Sequence, residues 1–376
     1  MWRLIVTGLL FLLSLMVFFK APTNFFWRVS VAITEFPYIF ILASLLFFFV
    51  CLKANKYKTV VVTLSSITTL IYILPLIQVY VRGNNLEEDL KKKFPFKENE
   101  QHLQQPYSFI KMFSGINPKE IAPQIFAYKK LPERELNIDF YPSKTNSVSP
   151  CVIVVHGGSW AEGDSKQLPD LNSYLANKGY HVAAINYRLA PKYKSPAPVE
   201  DVRDVIKYLT TNSEKLKIDT SNFVLLGRSA GGQIALCAAY TYNLPNIRGV
   251  ISFYAPADMV WGARIKSNKL VLNTDKVFTD YLGGLIDEVP QKYHEAGAID
   301  HVNKNSTPTL IIHGVHDAMV AYGHSERLDK KLEENNVQHY FLNLPWATHG
   351  CDYNINGPSG QITTFAIERF LNSVTH

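Results

Sequence analysis

The sequence predicts an α/β domain, a mostly parallel sheet with helices on both faces, preceded by three transmembrane helices. Three observations carry this expectation. From Leu136 onward, apolar runs such as Val152-Ile153-Val154-Val155, Phe223-Val224-Leu225-Leu226 and Thr309-Leu310-Ile311-Ile312 alternate with helix-forming stretches, the pattern of strands joined by crossover helices. Glycine-rich or histidine-bearing turns follow those runs, at the strand ends where open α/β sheets bind ligands. Residues 1–82, in contrast, hold three long apolar stretches.

The first stretch, Leu4 to Phe19, is interrupted only by Thr7, Gly8 and Ser14; Phe36 to Leu52 is uncharged; Thr59 to Val81 contains Pro75. A span needs about 20 mostly apolar residues, with a lower limit near 17. The third run meets this alone and the first two meet it with their flanks. Pro75 is tolerated in a span and is expected to kink it. A cleaved signal peptide fits the first run poorly, because Arg3 is the only cation ahead of it and Lys20-Ala21-Pro22 offers no small-x-small cleavage site. Residues 1–82 are therefore expected to be a multi-pass integral membrane domain with the lipid bilayer as partner. Lys53, Lys56 and Lys58 crowd the second loop, which puts that loop in the cytoplasm and the following domain on the extracytoplasmic face. Arg82 and Lys91-Lys92-Lys93 pull the other way.

Residues 83–130 read as a juxtamembrane linker or cap segment. The stretch opens with Glu87-Glu88-Asp89 and Lys91-Lys92-Lys93, a solvated pattern, and turns apolar over Pro106 to Phe113. Residues 131–376 form the remaining domain, long enough to bury a core without disulfides. The four cysteines show no framework and read as free packing residues. The formal charge of +6 is mild, and no nucleic-acid motif accompanies it. No P-loop, dinucleotide fingerprint or zinc spacing is present, so neither cofactor nor metal is expected.

Gly227-Arg228-Ser229-Ala230-Gly231 is the most informative stretch. A strand enters it and a helix-forming run, Gln233 to Ala239, leaves it. G-x-S-x-G in that setting is a nucleophile elbow, a sharp turn that exposes the serine hydroxyl. Such a hydroxyl needs an imidazole to take its proton and a carboxylate to hold the imidazole's tautomer. The chain supplies both in the expected order: Asp317 after the strand ending His313-Gly314, and His349 after Tyr340-Phe341-Leu342-Asn343-Leu344. Ser229, Asp317 and His349 are the candidate catalytic residues. His156-Gly157-Gly158 directly follows a β-branched strand, and the backbone amides of Gly157, Gly158 and Ala230 are the candidate oxyanion hole. His156 is expected to brace that loop, His313 to be structural and His316 to lie at the surface. Met259-Val260-Trp261 and Tyr281-Leu282 are candidates for lining an acyl or alcohol pocket.

Together these motifs, with Tyr187-Arg188-Leu189-Ala190-Pro191, resemble the α/β-hydrolases, and more narrowly the carboxylesterases around hormone-sensitive lipase. The resemblance runs from about Leu131 to the C-terminus. It implies the α/β-hydrolase fold, a serine esterase acting through an acyl-enzyme, a small-molecule or lipid-like ester as substrate and no cofactor. It also implies that Asp201 pairs with Arg188, where residue pattern alone reads a solvated helix face. Ser159 departs from the group's third glycine, which puts a preference for tertiary-alcohol esters in doubt. An acyltransferase on the same three residues, or a non-catalytic binding protein on this scaffold, are the alternatives.

Overall fold

A computed structural model describes residues 1–54, 56–95, 105–116, 119–145, 147–265 and 268–375. Parts of the expected linker or cap segment (96–104 and 117–118) lie outside the described residues, as do 266–267. The elements begin with helices α1 (Trp2–Ser14), α2 (Asn24–Glu35), α3 (Pro37–Leu52), α4 (Lys58–Asn84), α5 (Leu86–Lys93) and α6 (Lys111–Ser114). Strands β1 (Gln124–Lys130), β2 (Glu135–Tyr141) and β3 (Ser149–Val155) follow, then α7 (Pro169–Asn177), β4 (His181–Ile185), α8 (Ala197–Thr211) and α9 (Ser213–Leu216). The remainder is β5 (Ile218–Arg228), α10 (Ala230–Tyr242), β6 (Ile247–Phe253), α11 (Met259–Arg264), α12 (Thr274–Leu282), α13 (Pro290–Ala296), β7 (Thr309–Gly314), α14 (Gly323–Glu334), β8 (His339–Leu344) and α15 (Pro358–Val374).

Among the described residues the strands form one eight-stranded sheet of order β1-β2-β4-β3-β5-β6-β7-β8. The β1–β2 and β2–β4 pairs are antiparallel; every later pair is parallel. Both faces are covered. On β3, Ile153 and Val155 join the apolar layer beneath α8 and α10, while Val152 and Val154 join the layer beneath α7 and α15. Successive side chains point to opposite faces, so a strand buried on both sides must be apolar throughout. The parallel register brings the ends of β3, β5, β7 and β8 to one rim.

The N-terminal helices only partly match the expectation of three spans. α4 is long and apolar enough to cross a membrane, and the pair α2 and α3 would count as a second span only if its 87° bend were ignored. α3 has 16 residues, about 24 Å at about 1.5 Å per residue, and the first apolar helix, Trp2–Val17, is similarly short. The chain turns at Phe36, between α2 and α3, which separates them into two directions.

The bundle of α1, α3 and α4 is nevertheless apolar outside and polar inside. Ile5, Leu9, Leu42, Leu46, Phe49, Leu70 and Ile77 are exposed, whereas Thr7, Ser44, Ser65, Thr68 and Thr69 are buried. Thr69 Oγ1 donates to Ser44 Oγ at 3.0 Å and Tyr72 Oη to the Leu10 carbonyl at 3.1 Å.

The expected linker is also more structured than its charge pattern indicated. Leu86, Leu90 and Phe94, four residues apart, are fully buried, and Phe94 packs edge-on against Phe370 of α15 at 4.9 Å. The charges lie on the opposite side of the same helix. β1 was likewise hidden in the linker, because an edge strand with charged, half-exposed positions gives a weak sequence signal.

Candidate active site

Ser229 sits between the last residue of β5 and the first of α10 with φ 52 and ψ −121. A non-glycine residue held at positive φ stores of order 1–3 kcal/mol of strain. Its amide donates to the Phe253 carbonyl at 2.9 Å, which fixes the turn against β6. The two flanking glycines are required by space. A Cβ at Gly227 would lie 2.2 Å from the Gly231 carbonyl oxygen, and one at Gly231 would lie 2.3 Å from both the His156 and Val155 oxygens. α10 therefore starts directly at Ser229, with its unpaired N-terminal amides beside the hydroxyl.

Asp317 and His349 occupy the loops after β7 and β8. Asp317 is 1 % exposed and His349 7 %, and Asp317 Oδ2 lies 2.7 Å from His349 Nδ1. A carboxylate at Nδ1 places the imidazole proton there and leaves Nε2 as the basic atom. Oδ1 accepts the Met319 and Val320 amides, each at 2.8 Å. His313 is also a partner: its Nε2 is 3.0 Å from the same Oδ2, and its Nδ1 is 2.7 Å from Ser325 Oγ. Burial alone would raise the Asp317 pKa. The charge of His349 and the hydrogen bonds from His313 and His349 outweigh it and hold the carboxyl well below the usual range. Sequence reasoning placed His313 as structural but gave no sign that it shares this oxygen.

A second ion pair joins the two loops. Arg228, just before Ser229, is 1 % exposed and Asp352, three residues after His349, is 8 % exposed. Arg228 Nε donates to Asp352 Oδ2 at 2.5 Å, and Tyr254 Oη donates to Asp352 Oδ1 at 2.5 Å. The Tyr254 ring lies 4.4 Å from the His349 ring. The elbow and the His349 loop are thus tied through Arg228–Asp352, and through Phe253, whose carbonyl holds Ser229 and whose neighbour Tyr254 packs on His349. No local motif announces Asp352, because its partner is 124 positions away.

The His156 loop departs from expectation at one point. Gly157 was a candidate donor, but its amide is taken by Gln167 Oε1 at 2.8 Å. Gln167 reaches back from the turn before α7, a contact that spacing does not reveal. The Gly158 and Ala230 amides donate to no protein acceptor among the described residues. Ser159 has φ 51, the left-handed geometry that a third glycine would adopt more easily. His156 braces the loop as expected: Nδ1 lies 2.7 Å from the Gly157 carbonyl and its ring stacks on Tyr187 at 4.2 Å. Burial lowers the His156 pKa to about 4, so the ring is neutral. Asp201 accepts the Arg188 amide at 2.8 Å and Arg188 Nε at 2.9 Å, and also takes Lys129 Nζ at 2.7 Å.

A cavity of about 300 Å³ opens at Ser229, Ala230 and Asp317. Trp160, Ile265, Leu272, Val277 and Phe278 form its apolar walls. None of the residues expected to line it does so: Met259 and Tyr281 are fully buried, Tyr281 stacking on Trp160 at 4.3 Å, and Val260 and Trp261 are half-buried elsewhere. Gly262 and Phe278, a turn away from Met259 and Tyr281, reach the cavity instead. Among the described residues no group of His, Cys, Asp or Glu side chains is arranged to hold a metal ion.

The BD-FAE family model matches residues 136–332. Esterase LipC of Mycobacterium tuberculosis is 29 % identical over 245 residues, covering 60 % of this chain and 59 % of LipC. The probable carboxylic ester hydrolase LipM of the same organism is 24 % identical over 244 residues, covering 60 % of this chain and 54 % of LipM. The chain thus spans somewhat over half the length of these relatives. Among solved structures, a bacterial heroin esterase superposes with a TM-score of 0.59 at 19 % identity, covering 70 % of this chain and 88 % of that one. At that identity the likeness concerns the fold.

Proposed function

This chain belongs to the BD-FAE family, within the α/β-hydrolase carboxylesterases, and from that premise we propose that it is a membrane-attached serine carboxylic-ester hydrolase. Ser229 Oγ attacks the ester carbonyl while His349 Nε2 takes its proton, and Asp317 stabilises the imidazolium through Nδ1. The oxyanion settles on the Gly158 and Ala230 amides at the start of α10, in a site where one such donor is typically worth roughly 10²–10³ in turnover. The Gly157 amide joins them only if Gln167 withdraws. His349 then returns the proton to the departing alcohol. Water, activated by the same imidazole, releases the acid from Ser229.

The observation that carries this reading is the 2.7 Å contact between Asp317 Oδ2 and His349 Nδ1, made beside a serine that lines the same cavity in elbow geometry. The named esterases among its relatives support the reaction class. A fluorophosphonate probe tests it. The wild-type protein is expected to label covalently and Ser229→Ala and His349→Ala are not; equal labelling of Ser229→Ala would remove Ser229 from the role.

Three helices lying together in the bilayer is the reading we favour for residues 1–82. α1 and α3 both pack against α4. Arg3 Nη1 donates to the Lys53 carbonyl at 2.8 Å, so the start of α1 meets the end of α3. At the other end, Glu35 and Arg82 contact Ser359 and Tyr340 of the catalytic domain. Small hydroxyl residues facing inward and aliphatic residues facing outward are what a membrane bundle requires. Arg3, Lys53, Lys56 and Lys58 gather at the far end, which supports a cytoplasmic far end and an extracytoplasmic catalytic domain.

A further inference from the structure

The family match ends well short of the N-terminus, yet Lys20, Ala21 and Pro22, in the junction between α1 and α2, line the cavity together with Ser229 and Ala230. Two hydrogen bonds pin this junction to the opposite wall: Asn268 Nδ2 donates to the Pro22 carbonyl at 2.8 Å and the Asn24 amide to the Leu270 carbonyl at 3.0 Å. Asn268 and Leu272 line the same cavity. One helical turn further on, Trp27 Nε1 donates to the His349 carbonyl at 2.9 Å. A Cβ placed on Gly350 would meet the Trp27 ring at 3.8 Å, so the indole lies directly along the loop that carries the base.

The same junction lies where the membrane helices end. The first apolar helix stops at Val17. Phe18, Phe19 and Phe25, on either side of Lys20–Pro22, are 41 %, 60 % and 67 % exposed. Aromatic rings at the end of a membrane helix belong at the level of the lipid headgroups. Among the described residues Lys20 is the one lysine or arginine that lines the cavity. The Lys20 cation, at this apolar cavity, thus lies next in sequence to exposed aromatic rings.

We propose that Lys20, Ala21 and Pro22 form the membrane-side wall of the substrate pocket, and that the substrate is an amphiphilic ester with a single apolar chain, taken from the bilayer surface. The inference rests on the serine-esterase reading above. About 300 Å³ is at the lower end for small-molecule sites, room for one chain rather than for two. Ala21 sets how much of that chain fits. Trp27 is a positioning residue: it holds the backbone of His349 and touches no reacting atom. The N-terminal bundle is then part of what selects the substrate, as well as an anchor.

The experiment uses the full chain in phosphatidylcholine vesicles, with p-nitrophenyl acetate and p-nitrophenyl octanoate as probes. For the wild type, octanoate hydrolysis at fixed bulk ester is expected to fall as added lipid dilutes the ester in the membrane; acetate hydrolysis is not. Ala21→Phe is expected to lower the octanoate-to-acetate ratio of kcat/KM by more than about tenfold, since pocket volume discriminates at the level of single methylenes. Trp27→Phe is expected to lower kcat about fivefold on both esters with KM unchanged, the weight of one ordinary buried hydrogen bond, and to slow fluorophosphonate labelling by the same factor. Phe19→Ser with Phe25→Ser is expected to slow octanoate hydrolysis from vesicles by about fivefold, with acetate hydrolysis in water within about twofold. A labelled, folded Ala21→Phe protein whose ratio matches the wild type overturns the wall. A Trp27→Phe protein that changes KM alone overturns the positioning role. Octanoate rates that follow bulk concentration whatever the lipid added overturn entry from the bilayer. Failure of the wild type to label overturns the esterase reading itself, a separate outcome.

Discussion

Replacing Asp352 with leucine removes the anion that compensates a guanidinium buried beside the candidate nucleophile. Arg228 is 1 % exposed and its Nη1 and Nη2 have no protein acceptor among the described residues. Only Nε is satisfied, by Asp352; the Phe253 ring, 5.7 Å from Cζ, gives a weak cation–π contact. Breaking a buried pair by deleting one partner typically costs about 3–5 kcal/mol, because the remaining charge stays in a poorly solvating place. In a domain of this size about 1 kcal/mol moves the midpoint by roughly 2–4 °C, so Asp352→Leu is expected to melt roughly 6–20 °C lower. Arg228→Met is expected to lose stability by a similar route, through the stranded carboxylate. The double variant Arg228→Met with Asp352→Leu strands neither charge and is expected to recover most of the loss, as apolar replacements of buried pairs often do. Activity should not return with it. The pair ties the residue before Ser229 to the loop three residues past His349, and a misplacement of about 1 Å between reacting groups costs roughly 10²-fold. Thermal melts of the detergent-solubilised full chain and p-nitrophenyl butyrate kinetics read the two effects separately. The account is refuted if Asp352→Leu melts within 2 °C of wild type (about 0.5–1 kcal/mol), or if the double variant is no more stable than either single one.

Three further outcomes are expected. Asp317→Asn should fold and still lower kcat by about 10³–10⁴, because an amide disfavours the Nδ1–H tautomer of His349; retained kcat on a p-nitrophenyl ester would assign the acid elsewhere. Burial lowers the folded pKa of His156 to about 4, below the unfolded value near 6.5. The unfolded state therefore binds the extra proton first, and stability falls as pH drops from about 6.5 towards 4, by roughly 3 kcal/mol in total; His156→Gln should flatten that limb in pH-dependent denaturation, and an unchanged limb would point to other groups. An alkaline phosphatase fused after His376 should be active in intact cells and a green fluorescent protein fused there dark, as a basic cytoplasmic end of the bundle requires; the opposite pair of results would invert the topology.

The sequence made the parallel sheet legible because both faces of each central strand are buried, so Val152 to Val155 and Phe223 to Leu226 are continuously apolar. It made the elbow legible because the glycines at 227 and 231 answer a local steric demand. Asp352 on Arg228 and Trp27 on His349 were not legible, because each joins segments far apart in the chain, and Gln167 on Gly157 was not, because a loop that folds back over ten residues leaves no periodic signal. The helix over Leu86–Lys93 was missed for a different reason. Its apolar residues at 86, 90 and 94 are only three, too few to stand out among six charges, and only the packing against Phe370 shows which face is buried.

The loop carrying His349 shows how these distant contacts combine. Asp317 orients its imidazole and Tyr254 packs on the ring, while Arg228 holds Asp352 just beyond it. Trp27 takes the His349 carbonyl. Past the loop, Asn354 Nδ2 donates to the Glu35 carbonyl at 2.9 Å, and Ser359 Oγ donates to the Glu35 carboxylate at 2.7 Å while accepting Trp346 Nε1 at 2.9 Å. Trp27 and Glu35, in the first and last turns of α2, supply the restraints that come from outside the hydrolase domain. A hydrolase domain cut at residue 131 would lose the edge strand β1 and, with Trp27 and Glu35, the N-terminal partners of His349, Asn354 and Ser359 together. The division between the apolar N-terminal part and the hydrolase domain is therefore one of composition, and the candidate base His349 is held by both.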